Sequence, residues 1–252
     1  MKRRLLTTLL LLVLAGCARP AAFAPTPEAS APVPQATPTP LPRLSALPSE
    51  PFTLADTDKK APNGDAVNLV LVGSQAAVKG AIAKAGWLVA DPITTATSLR
   101  MARTSLLDLP YPTGPMSRLY LFGREQDAGY QIPTDTVRKR DHFRIWRTPV
   151  RDPAGRETWA VAATKDVGIR VVGGPTHVIA PKIDEERALV AQTLTSTSWI
   201  LDSYQVPAVG HPYQAKNGGG DPYESDGMAQ VLVISETASA YKPEPQKVAE
   251  AP

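Results

Sequence analysis

The chain has 252 residues, of which 27 are Lys or Arg and 24 are Asp or Glu. Its first sixteen residues hold three basic side chains and no acidic one, so the remainder carries as many basic as acidic residues. This balance gives no electrostatic reason to expect binding to nucleic acid. Cys17 is the only cysteine, which excludes a disulfide bond within the chain.

The N-terminus has the layout of a secretory signal. Residues 2–4 are basic, and residues 5–14 are mostly apolar but too few to span a bilayer, which needs roughly 20 residues. Residues 14–17 read Leu-Ala-Gly-Cys, which resembles the cleavage site of a bacterial lipoprotein signal. We therefore predict a signal peptide at residues 1–16 and lipidation of Cys17. The alternative is an uncleaved N-terminus that itself anchors the chain in the membrane.

Lipidation would place the protein in the cell envelope. Two or more fatty acyl chains, such as palmitate, hold a protein stably on a membrane, whereas one chain binds only marginally. Residue 18, directly after Cys17, is Ala rather than Asp. In Gram-negative bacteria this resembles the default sorting of lipoproteins to the outer membrane. We expect an outer-membrane lipoprotein whose domain faces the periplasm. Its predicted partners are the membrane, through Cys17, and an envelope protein or an anionic ligand.

Composition divides the rest of the chain. Ten of the 34 residues between Ala18 and Pro51 are proline, which fixes φ and removes backbone donors. We predict a disordered, proline-rich linker at residues 17–62, a globular domain at residues 63–236 and a disordered tail at residues 237–252. A proline-rich recognition ligand is the alternative reading of the linker.

Within the domain, helical and strand patterns alternate at first and hairpins dominate later. Apolar residues recur with helical spacing after Ser74, and Asp152-Pro153-Ala154-Gly155 has the chemistry of a type I turn between two strands. We predict an α+β fold, a single domain with a mixed, largely antiparallel sheet and about three helices. The predicted helices are 74–85, 95–107 and 184–195, and the predicted strands are 68–72, 88–89, 119–122, 142–150, 157–164, 199–206 and 228–234.

The domain contains an ordered set of short segments with recognisable sequences. They are Asn68–Gly73, Gly86-Trp87, Ala90–Ile93, Leu119–Arg124 with Gln126-Asp127, His142–Arg147, Asp166–Gly168, Thr176-His177, Ile183-Asp184 with Glu186-Arg187, and Asn217–Tyr223. Together they resemble the LssY C-terminal domain family over about residues 65–236. In the larger members of that family, a similar domain is joined to membrane domains that include a lipid-phosphate phosphatase module. The present chain lacks the Pro-Ser-Gly-His type motif of that module, so phosphatase chemistry is not implied.

Metal binding and acid/base catalysis are each open to two interpretations. The histidines could form a metal site with nearby aspartates, but no pair has a short ligand spacing, and structural hydrogen bonding is the alternative. The candidates are His142, His177, His211, Asp166, Asp221 and Asp226. The acidic run Asp184-Glu185-Glu186 suits acid/base chemistry, or equally a helix N-terminus capped by Asp184.

Two further segments suggest an anionic ligand. The glycines in Asn217–Tyr223 allow an anion-binding nest of N–H groups, although no Lys-Ser/Thr follows as in a P-loop, and a plain surface loop is the alternative. A basic run at residues 138–140 is followed by a strand whose alternation puts His142, Arg144 and Trp146 on one face, with Phe143 and Ile145 on the other. This basic face could meet phosphate headgroups or an anionic glycan, or it could be a solvated outer face.

Two classes of function remain. We favour a lipid-anchored module that binds a ligand or a partner, with a site drawn from His142, Arg144, His177, Asn217 and Asp221. His177 is expected at a loop edge. The alternative is a metal-assisted hydrolase of a phosphate- or glycan-containing envelope molecule, with His142, His177 and Asp166 as metal ligands. The sequence indicates no cofactor, and it lacks the Gly-x-Ser-x-Gly elbow of serine hydrolases.

Overall fold

A long mixed sheet forms the centre of the domain. The computed structural model describes residues 40–58, 62–171, 175–209, 213–217 and 219–243. The predicted signal peptide, Cys17 and His211 lie outside these residues. No helix among the described residues has the length and apolar character needed to cross a membrane.

The three predicted helices are present. Helix α1 (Gln75–Lys84) begins after Ser74, whose side chain accepts a hydrogen bond from the Ala77 N–H, as the sequence predicted. Helix α2 (Thr95–Leu107) begins with a capping box between Thr94 and Thr97. Helix α3 (Ile183–Thr195) is followed near the C-terminus by a short 3₁₀ helix at Glu236–Ala240.

The strands form one large sheet and two small ones. They are β1 (Phe52–Leu54), β2 (Asn63–Ala66), β3 (Leu69–Val72), β4 (Leu88–Val89), β5 (Tyr120–Leu121), β6 (Arg124–Glu125), β7 (Ala128–Gln131), β8 (Arg140–Arg151), β9 (Glu157–Val171), β10 (Pro175–Ile179), β11 (Ile200–Pro207), β12 (Tyr213–Lys216), β13 (Pro222–Ser225) and β14 (Met228–Ile234). The large sheet has the order β11-β14-β3-β9-β8-β7-β4, with β10 also paired to β9, and all of its pairs are antiparallel except β14 with β3. A second sheet has the order β2-β1-β5-β6, and β12 pairs with β13. The α+β fold class is confirmed.

Both faces of the large sheet are covered. Phe143 and Ile145 of β8 face a core shared with α1 and α3. Trp146, on the opposite face of the same strand, packs with Leu119 and Leu121 beneath the smaller sheet. The predicted alternation along β8 is therefore confirmed, and it leaves His142 and Arg144 between two layers rather than on a solvated outer face.

The folded domain begins earlier than the sequence predicted. Leu44 and Leu47 pack on the buried valines of β3 and β14, and Arg43 donates two hydrogen bonds of 2.9 Å to Asp202. Strand β1 pairs with β2 and β5. The predicted linker boundary at residue 62 is therefore wrong, because proline is compatible with extended backbone that covers a sheet through side chains alone.

The predicted tail also begins too early. Ala238 is fully buried, and the ring of Tyr241 lies 5.5 Å from that of Trp199. A Cβ added at Gly80 of α1 would lie 2.0 Å from the Ala238 carbonyl oxygen, so the 3₁₀ helix packs closely on α1. Small and polar residues dominate positions 237–243, so their composition did not reveal this packing.

Asp184 does not cap α3 as predicted. The residue before the helix is Lys182, whose side chain makes no capping bond, and Asp184 lies within the first turn. Its carboxylate accepts hydrogen bonds from the Ser225 hydroxyl at 2.9 Å and the Asp226 N–H at 2.6 Å. Asp184 therefore ties the helix to β13 and the turn that follows it.

Candidate functional site

Register between β8 and β9 brings charged residues together on one face of the large sheet. Arg140 pairs with Asp166, and His142 pairs with Thr164. Arg144 follows two residues further along the same face, and all five side chains are buried. Side chains of successive cross-strand pairs on one face are neighbours, so this register builds a polar cluster inside the fold.

Three other segments close the cluster into a cavity of about 390 Å³, which we call the polar cavity. Strand β2 contributes Asp65, β10 contributes His177, and the connection between β12 and β13 contributes Asn217 and Asp221. All five predicted ligand-binding residues therefore line one cavity. Its polar walls also include Arg118, Arg140, Thr164 and Asp166.

Arg140 and Asp166 form the buried ion pair at the base of the cavity. Nε and Nη2 of Arg140 lie 3.1 and 3.0 Å from Oδ2 of Asp166. Burial alone would raise the pKa of Asp166, but His142, Arg140 and His177 outweigh it and leave that pKa below its ordinary value. Asp166 is therefore ionised at neutral pH.

Arg144 and Asp65 form a second buried ion pair. Nη1 of Arg144 donates a 3.0 Å hydrogen bond to Oδ2 of Asp65, while Nε and Nη2 donate to the carbonyl and hydroxyl oxygens of Ser117. Burial raises the pKa of Asp65, and the neighbouring Arg144 only partly opposes this effect. Asp65 therefore takes up a proton more readily than an exposed aspartate.

His142 is a buried, neutral histidine. Its Nδ1 lies 3.4 Å from the carbonyl oxygen of Arg140, which can only accept, so the geometry assigns the proton to Nδ1. Nε2 then accepts from Arg144 and from the Thr164 hydroxyl, at 3.4 and 3.2 Å. Burial lowers the pKa of His142 to about 4. His142 thus fixes the wall of the cavity as a hydrogen-bonded structural residue.

His177 has a more open position. It lies within β10, not at the loop edge that the sequence predicted, and 29% of its side chain is exposed. Nε2 lies 3.4 Å from Nη2 of Arg140, which can only donate, so the proton of the neutral ring is on Nδ1. Nδ1 is 3.3 Å from Oδ2 of Asp166 but is buried without a hydrogen bond of acceptable geometry. Burial lowers the pKa of His177 despite the nearby Asp166.

The described residues of the Asn217–Tyr223 loop form hydrogen bonds within the loop. The N–H groups of Gly220 and Asp221 donate to the carbonyl and side-chain oxygens of Asn217, both at 2.9 Å. Two of the predicted free donors are therefore used within the loop. Oδ1 of Asp221 lies 2.7 Å from Nη1 of Arg170 as an ion pair, but it is buried and accepts no well-directed hydrogen bond.

A metal site is not supported by the arrangement of the described residues. Among them, no three His, Cys, Asp or Glu side chains are grouped so as to hold a metal ion. Oδ2 of Asp166, which lies between His142 and His177, is paired with the guanidinium of Arg140. Asp226 forms an ion pair with Arg187. The predicted third histidine, His211, lies outside the described part of the chain.

Sequence reasoning missed part of the site. Asp65 lies in a short polar strand, Asn-Gly-Asp-Ala, with no apolar alternation to reveal its burial. Arg140 belongs to a basic run, which suggested a position on the protein surface. No sequence pattern around Arg170 indicated that it would lie near the site. The strand register of β8 and β9 decides which of these charges are buried: Arg140 is in the site, whereas Arg147 and Arg151 are exposed and pair with Glu157.

These features define a class of protein, an α+β domain whose mixed sheet carries a charged cavity on one face. The family model described as LssY C-terminus matches residues 46–229, and the chain belongs to that family. The resemblance found in the sequence is thereby confirmed. The searches of curated proteins and of solved structures gave no match.

Proposed function

We propose that this domain is a ligand-binding module of the cell envelope, and that the polar cavity binds a small ligand carrying an anionic group and hydroxyl groups. The convergence of His142, Arg144, His177, Asn217 and Asp221 in one cavity is the observation that carries the proposal. A further support is that Nδ1 of His177 and Oδ1 of Asp221 are both buried without hydrogen-bond partners. Such atoms are rare in folded proteins and gain most from a bound polar group.

The arginines of the cavity are the groups that suit an anionic group on the ligand. Arg118, Arg140 and Arg144 line it, and a planar guanidinium matches a carboxylate or phosphate in geometry. Their charges are balanced by Asp65, Asp166 and Asp221, so a bound anion has to replace a carboxylate as the partner of an arginine. Asp65, whose pKa is raised by burial, is the carboxylate that can take up a proton and release Arg144. Oδ1 of Asp221 is an acceptor, and a ligand hydroxyl is the neutral donor that suits it.

Calorimetric titration of the full chain with glycerol phosphate tests the binding. We expect saturation at one site, with inorganic phosphate and glycerol each binding more weakly because each offers half of the required groups. His177→Ala should weaken binding about tenfold, or ~1.4 kcal/mol, by removing a polar contact. Its melting temperature should change little, since the ring is partly exposed.

Gln214→Ala is the matched control for this titration. Gln214 is an exposed residue of β12, on the same hairpin as Asp221 but outside the lining of the polar cavity. Its replacement should leave the dissociation constant unchanged. Failure of glycerol phosphate to bind, or equal affinity of the His177→Ala and wild-type chains, would contradict the proposal.

A lipid anchor on Cys17 completes the proposed role. The basic and apolar residues before Cys17, and the small residues next to it, support export and acylation. We expect Cys17→Ser to move the protein from the membrane fraction to the soluble fraction, with the melting temperature of the domain unchanged. Fractionation measures the location, mass spectrometry of the purified chain measures the acylation, and thermal denaturation measures the melting temperature. An acylated Cys17→Ser chain in the membrane fraction would refute the anchor.

A further inference from the structure

An apolar groove lies between α2 and the strands β9 and β10. Its volume is about 880 Å³, within the range of ligand sites, which is roughly 300–1,000 Å³. We call it the apolar groove, and its apolar walls include Ile93, Met101, Ala102, Met116, Val167 and Ile169.

The apolar groove adjoins the polar cavity. Four residues belong to the walls of both, namely Met101, Pro115, Ser117 and His177. His177 therefore lies where the two meet, close to the buried ion pair of Arg140 with Asp166. A ligand that contacts His177 in the polar cavity thus lies next to the apolar groove.

One face of helix α2 lines this groove, and little of the helix packs in the core. Ser98, Met101, Ala102 and Ser105 line the groove with the i, i+3, i+4, i+7 spacing of one helical face. Thr104 is the buried residue of the helix, and most of the others are exposed. Small side chains and a flexible methionine leave room for an unbranched chain and adapt to its shape.

The groove carries a small excess of positive charge. Arg138 and Lys139 line it together with Asp108, and Nε of Arg138 lies 3.5 Å from Oδ1 of Asp108 as an ion pair. The guanidinium of Arg138 also donates hydrogen bonds of 2.9 and 2.7 Å to the carbonyl oxygen of Ser105 on α2. Lys139 therefore adds a positive charge to this wall that Asp108 does not balance.

We infer that the ligand is a single-chain anionic amphiphile, bound as a free molecule with its anionic group in the polar cavity and its alkyl chain in the apolar groove. The inference rests on the proposed function and names the substrate class of the same site. A membrane surface is the less suitable occupant, because the groove is concave and is walled by α2 on one side and by β9 and β10 on the other.

Ala102 offers a way to block the groove alone. It is an exposed residue of α2 that lines the apolar groove and is absent from the lining of the polar cavity. Ala102→Phe therefore adds a ring to the wall of the groove without touching the polar cavity. Val150→Phe, at an exposed position of β8, is the matched control.

The experiment compares dodecyl phosphate, below its aggregation concentration, with glycerol phosphate. The full chain carrying Cys17→Ser is used, so that no attached lipid competes. We expect dodecyl phosphate to bind about 100-fold more tightly or better, because several methylene groups are buried. Ala102→Phe should abolish this advantage and retain glycerol phosphate binding, and Val150→Phe should change neither.

The outcomes separate the two proposals. Equal affinity for the two phosphates, or an unaltered dodecyl phosphate affinity in Ala102→Phe, would overturn the amphiphile while leaving the polar cavity intact. Failure of glycerol phosphate to bind the wild-type chain would overturn the proposed function itself. Binding to phosphatidylglycerol vesicles that Ala102→Phe abolishes, with no binding of monomeric dodecyl phosphate, would assign the groove to a membrane surface and contradict the inference.

Discussion

Arg140→Met should lower the free energy of unfolding by about 3–5 kcal/mol, because it leaves the carboxylate of Asp166 buried without its cation. Arg140 and Asp166 lie at the base of the polar cavity, and the shortest distances between them are 3.0 and 3.1 Å. The same substitution removes a donor from Nε2 of His177. Urea denaturation at pH 7 measures the change.

Two controls distinguish loss of the buried pair from loss of any arginine on β8. Arg147 lies on the same strand with about half of its side chain exposed, and Arg147→Met should cost less than about 1 kcal/mol. Adding Asp166→Asn to Arg140→Met should recover part of the lost stability, since it removes the unpaired charge. An Arg140→Met chain as stable as the Arg147→Met chain would show that the pair is not a buried element of the fold.

Glu186→Gln should stabilise the protein at pH 8 by on the order of 3 kcal/mol, with little effect at pH 4. Burial on α3, together with the nearby Asp141 carboxylate, raises the pKa of Glu186 to about 9. Oε1 of Glu186 is also buried without a hydrogen-bond partner. Glu186 is therefore a neutral, buried acid at physiological pH.

The direction in which stability changes with pH follows from proton binding. Between pH ~4.3, the ordinary pKa of Glu, and pH ~9, the folded state holds a proton at Glu186 that the unfolded state has released, so stability falls as pH rises. Glutamine does not titrate, and the difference between variant and wild type should grow across this window. Glu185→Gln, at an exposed neighbouring position, is the matched control and should change the free energy of unfolding by less than about 1 kcal/mol. A parallel pH profile for Glu186→Gln and wild type would refute the neutral acid.

Periodicity made much of the fold predictable. The helical spacing and cap at Ser74 predicted α1, and the two-residue alternation along β8 placed His142 and Arg144 on one face, opposite Phe143. These patterns are local, because they reflect which side of one element is buried. The type I turn at Asp152 was likewise fixed by four adjacent residues, and the Gly155 N–H donates to the Asp152 carbonyl oxygen at 2.8 Å.

The remaining features depend on contacts between distant segments. Asp65 and Arg144 are 79 positions apart, and no local pattern indicates that they pair. Aspartate commonly caps helices, which is why Asp184 was predicted to cap α3. A hydrogen bond from Ser225, 41 positions away, instead makes Asp184 a link between α3 and β13. The proline-rich N-terminal segment gave no sign that Leu47 would cover a sheet face. Register and long-range packing, rather than propensity, place these residues.

Binding of an anion beside His177 is tested most directly by histidine-ring NMR spectra of the full chain, recorded over a range of pH with and without glycerol phosphate. The His177 signals are assigned with the His177→Ala variant. Bound phosphate should raise the pKa of His177 by about 1, because a nearby negative charge stabilises the imidazolium. The pKa of His142, which is buried behind Thr164 and Arg144, should stay near 4. Identical titration of His177 with and without glycerol phosphate would contradict a ligand site in the polar cavity.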